Sequence, residues 1–420
     1  MKRIVTLLFS GFALCALIGL TSSNVAQAEG FALSDYGARG TSLAGGMIGR
    51  ADDASAVAWN PAGITQLPGT RTMFGGTFIA PTGTVDTIEN GVTTSTDVEK
   101  HIWANPHAYL THQYNDSLWF GLGVFSRFGL GNSYPDDWAG SRNLTSVSLQ
   151  TISLNPNVAY KVNDNLSLAA GVEIMGASMR MTKDYDLRQL GYDQQMLKGK
   201  SVAVAFNLAA HYTFNEQWAA GFTYRSRLQQ KVEGKSSFSR EFSAIPGRLP
   251  QLKDSDLHGT LNLPDVFSFG VTWKPLADLS FEAGTVYTVW SNFRSMNIYL
   301  EEPMRVDGFT PKNWRDTWAF NLSSEYRVLD WLTLRGGYIY ETSCMNLSTA
   351  DYMTPSNGRH RITAGVGFNW DQWTLDLAYG YLIIKELNYD ESARIPHGVK
   401  PGNAHDGKSH IAAMTVGYTF

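Results

Sequence analysis

The amino-acid sequence predicts an all-β protein, a transmembrane antiparallel β-barrel of about fourteen strands with an N-terminal hatch in its lumen. Three observations carry that expectation. The chain starts with a secretory leader, its later part alternates apolar with small or polar residues, and short and long connections take turns between the alternating segments.

Lys2 and Arg3 precede an apolar run from Ile4 to Leu20 and a polar stretch ending Ala26-Gln27-Ala28, the charged, apolar and small-residue order of a signal peptide. Residues 1–28 are therefore expected to be removed, leaving Glu29 near the mature start. The competing reading is an uncleaved anchor, which the small residues at the cleavage positions disfavour. Leu14 is too bulky to precede a lipid-anchoring cysteine, so Cys15 should leave with the leader. Cys344 then remains alone, and no intramolecular disulfide can form despite export to an oxidising compartment. Removing Lys2 and Arg3 from the 34 basic residues leaves 32 against 38 acidic ones, a net of −6 that argues against a nucleic-acid partner. No mature segment reaches the roughly 18 consecutive apolar residues of a membrane-spanning helix. With 40 Gly, 21 Phe, 19 Tyr and 12 Trp, a strand-built membrane protein is the economical class.

Side chains of a barrel strand alternate between lipid and lumen. Trp373, Leu375, Leu377, Tyr379, Tyr381 and Ile383 share one parity, against Thr374, Asp376, Ala378 and Gly380. Ile362, Ala364, Val366, Phe368 and Trp370 repeat the pattern, as do Val202 to Phe214 and Leu118 to Val124. A soluble sandwich would have shorter strands and an apolar inner face. Tight polar turns fall at Asn115-Asp116, Asn163-Asp164-Asn165, Asn215-Glu216, Ala277-Asp278, Asp330 and Asp371-Gln372. Between them lie long polar stretches read as irregular loops, at 84–98, 131–145, 184–198, 233–256, 302–312, 343–358 and 387–406. Tight turns therefore belong to the periplasmic side and long loops to the cell surface. Tyr114 and Trp119, Tyr212 and Trp218, Tyr326 and Trp331, and Trp370 and Trp373 flank the turns as an interface girdle. The barrel is assigned to 69–420. Its last strand alternates up to Phe420, an ending that resembles the C-terminal signal read by the barrel-assembly machinery. The expected location is the Gram-negative outer membrane, with lipid and lipopolysaccharide around a monomer.

Residues 29–68 lack strand alternation, yet Phe31, Leu33, Leu43, Met47, Ile48, Val57 and Trp59 give them apolar content. A lumen too wide for wall side chains to fill could hold them as a plug rather than leave them as a disordered tail. Within this segment Gly30-Phe31-Ala32-Leu33, Gly40, Ala51-Asp52-Asp53-Ala54-Ser55 and Asn60-Pro61-Ala62-Gly63 resemble the hatch of the FadL-type outer-membrane transporters. The resemblance continues through Phe120-Gly121-Leu122-Gly123 and Arg127-Phe128-Gly129-Leu130 and broadly covers the chain. It implies a fourteen-stranded plugged barrel that takes up long-chain fatty acids or similar hydrophobic molecules without a cofactor. Arg315 or Lys183 would meet the head group and Phe31 the tail. Asn60, Pro61 and Ala62 would form the gating corner of the hatch, and a kink at Phe128-Gly129 in the third strand would be the lateral exit.

Enzyme chemistry has little foothold. There is no Gly-x-Ser-x-Gly elbow, no His-Glu-x-x-His and no Cys pair, so neither catalytic nor metal-ligating residues are assigned. His107 and His112 are five apart, on opposite faces of a strand. Asp52-Asp53 reads as an acidic helix start before Ala54 to Trp59, and Asp136-Asp137 as a solvated loop pair. The rival readings are a hydrophilic diffusion porin, an aromatic-hydrocarbon channel of the same family, and an outer-membrane phospholipase or protease.

Overall fold

The computed structural model describes residues 30–186, 192–239, 253–302, 306–394 and 398–420, so the leader lies outside the described residues. Fourteen staves close a single antiparallel barrel. β1 is Thr70–Glu89, β2 joins Val92–Asp97 to Trp103–Gln113, and β3 joins Leu118–Phe125 to Gly129–Ser133. β4 is Ser146–Lys161, β5 Leu166–Asp186 and β6 Tyr192–Thr213. β7 joins Trp218–Arg225 to Leu228–Phe238, β8 Ser255–Leu263 to Val266–Leu276, β9 Leu279–Thr288 to Ser295–Leu300, and β10 Val306–Pro311 to Thr317–Leu329. β11 is Leu332–Glu341, β12 Arg359–Trp370, β13 Trp373–Ile384 with Leu387–Asn388, and β14 Gly402–Thr419. Each stave pairs with the next, and β14 pairs with β1 from Arg71↔Thr419 to Thr87↔Gly402, which leaves no sheet edge along the seam.

The six tight turns sit where the sequence places them, one at the end of each alternate hairpin. In three of them a single Asn does the same work. The side-chain oxygens of Asn115, Asn163 and Asn215 each accept two backbone N–H groups from the turn. The outer band is apolar, with Phe74, Phe78, Val202, Val204, Phe206, Leu208, Phe320 and Leu322 all exposed. Tyr114, Tyr212, Trp218, Tyr326, Trp331, Trp370 and Trp373 are exposed beside the turns, as expected for an interface girdle.

Trp119 departs from that set. It shares the parity of Gly121 and Gly123 and is buried in the lumen, where its indole donates to the Leu67 carbonyl at 2.9 Å. Much of the expected loop also proves to be strand. Residues 84–97 form a ladder from Thr84↔Asp97 to Glu89↔Val92 around the Asn90-Gly91 turn, and β5 and β6 pair up to Asp186↔Tyr192. The reason is the solvent. Above the bilayer both faces of a strand meet water, so the apolar half of the alternation disappears while the hydrogen-bond ladder continues.

Residues 30–68 are buried almost throughout. They contain two short helices, α1 at Ala38–Ser42 and α2 at Ala56–Trp59, and a 3-10 turn at Pro61–Gln66. Inward-facing side chains from all round the wall hold this segment. Glu282 on β9 accepts the backbone N–H groups of Ile48 (2.8 Å), Gly49 (3.2 Å) and Arg50 (2.8 Å). Arg39 pairs with Glu325 on β10, Arg361 on β12 with Asp35, and Thr415 on β14 accepts from the Ala38 N–H. Gly221 on β7 lets the hatch approach closely, since a Cβ there would collide with the Ile48 carbonyl and the Asn60 side chain.

Candidate functional site: an opening in the wall and the hatch behind it

The third stave is interrupted. Its lower piece ends with Phe125 opposite Ser153 of β4, and its upper piece resumes with Gly129 opposite Gln150. Three residues, Ser126 to Phe128, therefore face two on β4, a one-residue bulge that turns the chain inward. Phe125, Arg127 and Phe128 are all buried. The interruption falls earlier than the Phe128-Gly129 step, and Gly129 and Gly131 belong to the resumed strand without positive φ, so glycine freedom is not what makes it.

On the other side the consequence is a gap. β2 pairs with β3 from Gln113↔Trp119 up to Ala108↔Val124 and, among the described residues, no further. Trp103 to His107 keep their ladder to β1 alone. At roughly 3.3 Å per residue these five residues border an opening about 16 Å long. Pro106, which has no N–H to offer, lies within that border. The wall closes again above it, where Ser133 accepts the Glu99 N–H at 2.9 Å.

The start of the hatch runs directly behind the opening. Leu33 N–H donates to the Arg127 carbonyl (2.7 Å) and Gly129 N–H to the Phe31 carbonyl (2.8 Å), so residues 31–33 satisfy the backbone that the bulge takes out of the sheet. On the β2 side Leu33 packs with Ile79, Trp103 and Ile411, the Asn105 side chain donates to the Asp35 carbonyl, and the Tyr109 hydroxyl donates to the Tyr36 carbonyl at 2.7 Å.

Two other broken staves feed the same place. Between the pieces of β9 the chain drops Trp290 and Phe293 into the lumen, and between the pieces of β10 it drops Trp314. Phe31 is the centre of this set, with ring centroids 4.7 Å from Trp290, 5.4 Å from Phe293, 5.4 Å from Trp314 and 6.2 Å from Phe128. The pairs with Trp290, Phe293 and Phe128 are edge-on and that with Trp314 is tilted, and such ring pairs stabilise by about 0.5–1.5 kcal/mol each beyond their buried area. Met175, Met181 and Met296 continue the apolar lining upward. The extracellular mouth is covered by Tyr134 stacked on Trp138 at 4.1 Å, with Tyr352 and Tyr389 against them. Burial pushes the Tyr352 phenol up to about 12, which keeps the cover uncharged.

Below the hatch the chemistry is the opposite. A cavity of about 480 Å³ at the periplasmic end is lined by Arg39, Arg50, Asp53, Glu325, Arg335 and Asp376 among others. Arg39 contacts Asp52 (2.8 Å), Asp53 (3.0 Å) and Glu325 (2.8 Å), and Arg335 contacts Glu325 at 2.6 Å. Asp52 and Asp53 are thus members of an ion-pair network, and Asp53 also accepts the Ser55 N–H just before α2.

Residues 19–420 match the family described as outer membrane protein transport protein (OMPP1/FadL/TodX). The chain belongs to this family. It is 24% identical over 456 residues to the long-chain fatty acid transport protein of Escherichia coli strain K12, covering 98% of this chain and 99% of that one. It is 24% identical over 428 residues to outer membrane protein P1 of Haemophilus influenzae, covering 90% and 91%. In fold it resembles a Pseudomonas aeruginosa FadL homologue, with TM-score 0.82, 20% identity and coverage of 93% and 99%. The toluene transporter TodX of P. putida gives TM-score 0.75, 17% identity and coverage of 92% and 99%. The protein is accordingly a Gram-negative outer-membrane barrel of a family that transports hydrophobic molecules, and its relatives are transport proteins rather than enzymes.

Within this family frame the expected site residues separate. Asn60 is buried, and its amide donates to Ile48 O (2.8 Å) and, across to β6, to Ala210 O (3.1 Å), while its oxygen accepts the Ala62 N–H. Pro61 starts the 3-10 turn that Asn60 caps. Phe31 lies at the aromatic centre. Lys183 has the inward parity of Met179 and Met181 near the extracellular end of β5, half-buried. Arg315 is exposed. The side chain that enters the lumen from Asn313-Trp314-Arg315-Asp316 is Trp314, and Asp316 is held by Tyr287 and Ser291. His107 is buried and His112 exposed, on opposite faces of β2, and no metal-binding cluster occurs among the described residues. Arg127 was read from sequence only as part of the run Arg127-Phe128-Gly129-Leu130 and given no role, and Trp290 and Phe293 were not singled out. Trp290 and Phe293 have opposite parity, so both being buried required a break in β9 that alternation alone does not reveal.

Replacing Asn60 by Ala leaves Ile48 O, Ala210 O and Ala62 N–H without their buried partner, an expected loss of about 1–3 kcal/mol from the hatch. Limited proteolysis of the folded barrel should then cut residues 30–68 faster than in the wild type. Unchanged cleavage would mean that Asn60 does not fasten the hatch.

Proposed function

We propose that the protein takes up long-chain fatty acids or closely related hydrophobic molecules passively, receiving them at the cell surface and releasing them sideways into the outer membrane. The opening between β2 and β3, closed from within by Phe31 to Tyr36, is the observation that supports this reading. Cargo held against the Phe31 aromatic cluster would leave by displacing that segment, with the Asn60-Pro61-Ala62 corner as the fixed end about which the hatch yields. The sideways route suits the cargo. Each CH₂ favours hydrocarbon over water by about 0.8 kcal/mol, so a long chain passing down the axis would lose that stabilisation in the ion-pair network and then in the periplasm.

The names of the relatives point the same way, one a long-chain fatty acid transport protein and another a toluene transporter. Lys183 is the head-group cation we favour at the extracellular mouth. It faces inward and, among the described residues, no acid pairs with it, whereas Arg315 turns outward.

The test is uptake by intact cells lacking their own transporter of this kind. Cells making this protein should accumulate labelled oleate above the empty-vector control, and should gain no permeability to sucrose. Lys183→Met should weaken oleate binding about tenfold or more, the usual cost of removing a charge-assisted partner, while changing oleyl alcohol binding little. Sucrose entry without oleate uptake would show a diffusion porin instead.

A further inference from the structure

We propose that Arg127 and Arg225, buried just behind the wall opening, form a binding site for the carboxylate of an acidic cargo as it leaves. The inference rests on the sideways-exit reading above and narrows the cargo to hydrophobic acids.

The two guanidinium groups share one counter-charge. Arg127 Nη1 lies 2.7 Å from Glu173 Oε2 and Arg225 Nη1 lies 3.5 Å from the same oxygen, while the other Glu173 oxygen accepts from Ser153 at 2.7 Å. Arg127 is 2% exposed, Arg225 5% and Glu173 0%. Two cations against one anion in so dry a place are costly unless a second anion joins them. Arg225 Nη1 donates to the Asn155 side chain and Nη2 to the Val57 and Ala58 carbonyls. Arg127 Nη2 is buried and, among the described residues, has no hydrogen-bond partner. A guanidinium with one arm on a carboxylate and the other open is suited to accept a second carboxylate.

The space is there too. Arg127 and Arg225 both line a cavity of about 90 Å³ between the hatch and the wall, together with Phe128, Tyr36, Trp59 and Glu341. Against a water's share of liquid volume, about 30 Å³, it fits a carboxylate with a water or two and no acyl tail. Glu341 is the one acid among the described lining residues, and Arg359 already pairs with it. The tail would then lie toward the Phe31 cluster or the opening.

Position makes the site more than a resting place. Arg127 is one of the three bulged residues, and its carbonyl holds the Leu33 N–H of the closing segment. Arg225 holds the Val57 and Ala58 carbonyls of α2, the second of them two residues before Asn60. A carboxylate arriving here is therefore gripped by two of the residues that tie the hatch to the wall. A neutral hydrocarbon has no use for either.

Arg127→Met leaves Arg225 and Glu173 as a balanced pair, so the barrel should fold. In cells lacking their own transporter, at equal surface levels of heat-modifiable protein, hexadecanoate uptake should fall tenfold or more while hexadecanol uptake stays within about twofold. Arg127→Lys should restore much of the acid uptake. Equal losses for acid and alcohol, or no loss for the acid, would overturn the site. Wild-type cells that pass the alcohol and reject the acid would also overturn it, while leaving the proposed transport standing. Wild-type cells that pass neither would show that the transport reading itself fails, and the site with it. Should Arg127→Met not reach the surface, solid-state NMR of the wild type with ¹⁵N-arginine and carboxyl-¹³C hexadecanoate decides. Dipolar contact between the labels, weakened in Arg127→Lys where Arg225 alone remains, is expected, and its absence in the wild type would overturn the proposal.

Discussion

Deleting Ser126 alone should abolish uptake while leaving the barrel intact. The pairs Phe125↔Ser153 and Gly129↔Gln150 differ in register by one residue, so removing one residue from the bulge brings both halves of β3 into a single ladder with β4. The upper half of β3 would then lie flat in the wall, level with the unpaired border of β2, and the opening between Trp103–His107 and the bulge would close. Uptake is expected to drop to the level of cells without the protein. Folding should not suffer, since a regular ladder replaces an irregular one, and the heat-modifiable band on a gel should persist. Uptake that survives in a barrel shown by crystallography to be closed would mean that the cargo leaves another way.

The second large effect is expected at Glu282, which lies far from the opening. Its carboxylate is fully buried and holds three consecutive hatch N–H groups as well as the Thr272 hydroxyl. Glu282→Ala strands those donors in a dry lumen, a loss on the order of 3 kcal/mol or more at roughly 1–3 kcal/mol per unsatisfied group. The barrel ladder does not depend on them, so the hatch should loosen and the barrel should stay folded. Planar-bilayer recordings should show frequent openings that pass small ions, where the wild type is quiet. A quiet Glu282→Ala channel would mean that the other fasteners, the Arg39 and Arg361 pairs and Asn60, hold the hatch without it.

The parts of this molecule that a bilayer dictates could be seen in the sequence. Lipid on one side imposes alternation on Val202 to Phe214 and on Trp373 to Ile383, and two-residue turns demand Asn and Asp, so stave number and orientation follow. Once strands rise above the lipid, as at Thr84 to Asp97, that constraint is gone and strand reads as loop. Inward-facing positions were harder still. Trp119 has the composition of a girdle residue, and only its parity with Gly121 and Gly123 shows that it faces the hatch. The site needed tertiary knowledge of another kind. Asn60-Pro61-Ala62 and Phe31 carry local signals, a stiff corner and an isolated aromatic. The partners of Phe31 come from breaks in β3, β9 and β10, and Arg127 acquires its meaning from Glu173 and Arg225, 46 and 98 residues further along the chain.

The route of the cargo is best tested by where it touches the wall on its way out. A fatty acid carrying a photoactivatable diazirine at its tail can be supplied to outer membranes containing the protein, irradiated during uptake, and the adducts mapped by mass spectrometry. Release through the wall predicts labels on Phe31 to Leu33, on Phe128 and along Trp103 to His107, with none in the charged cavity beneath the hatch. Labels on Arg39, Asp53, Arg71 or Lys274, with Trp103 to His107 unmarked, would show passage down the axis and contradict the account.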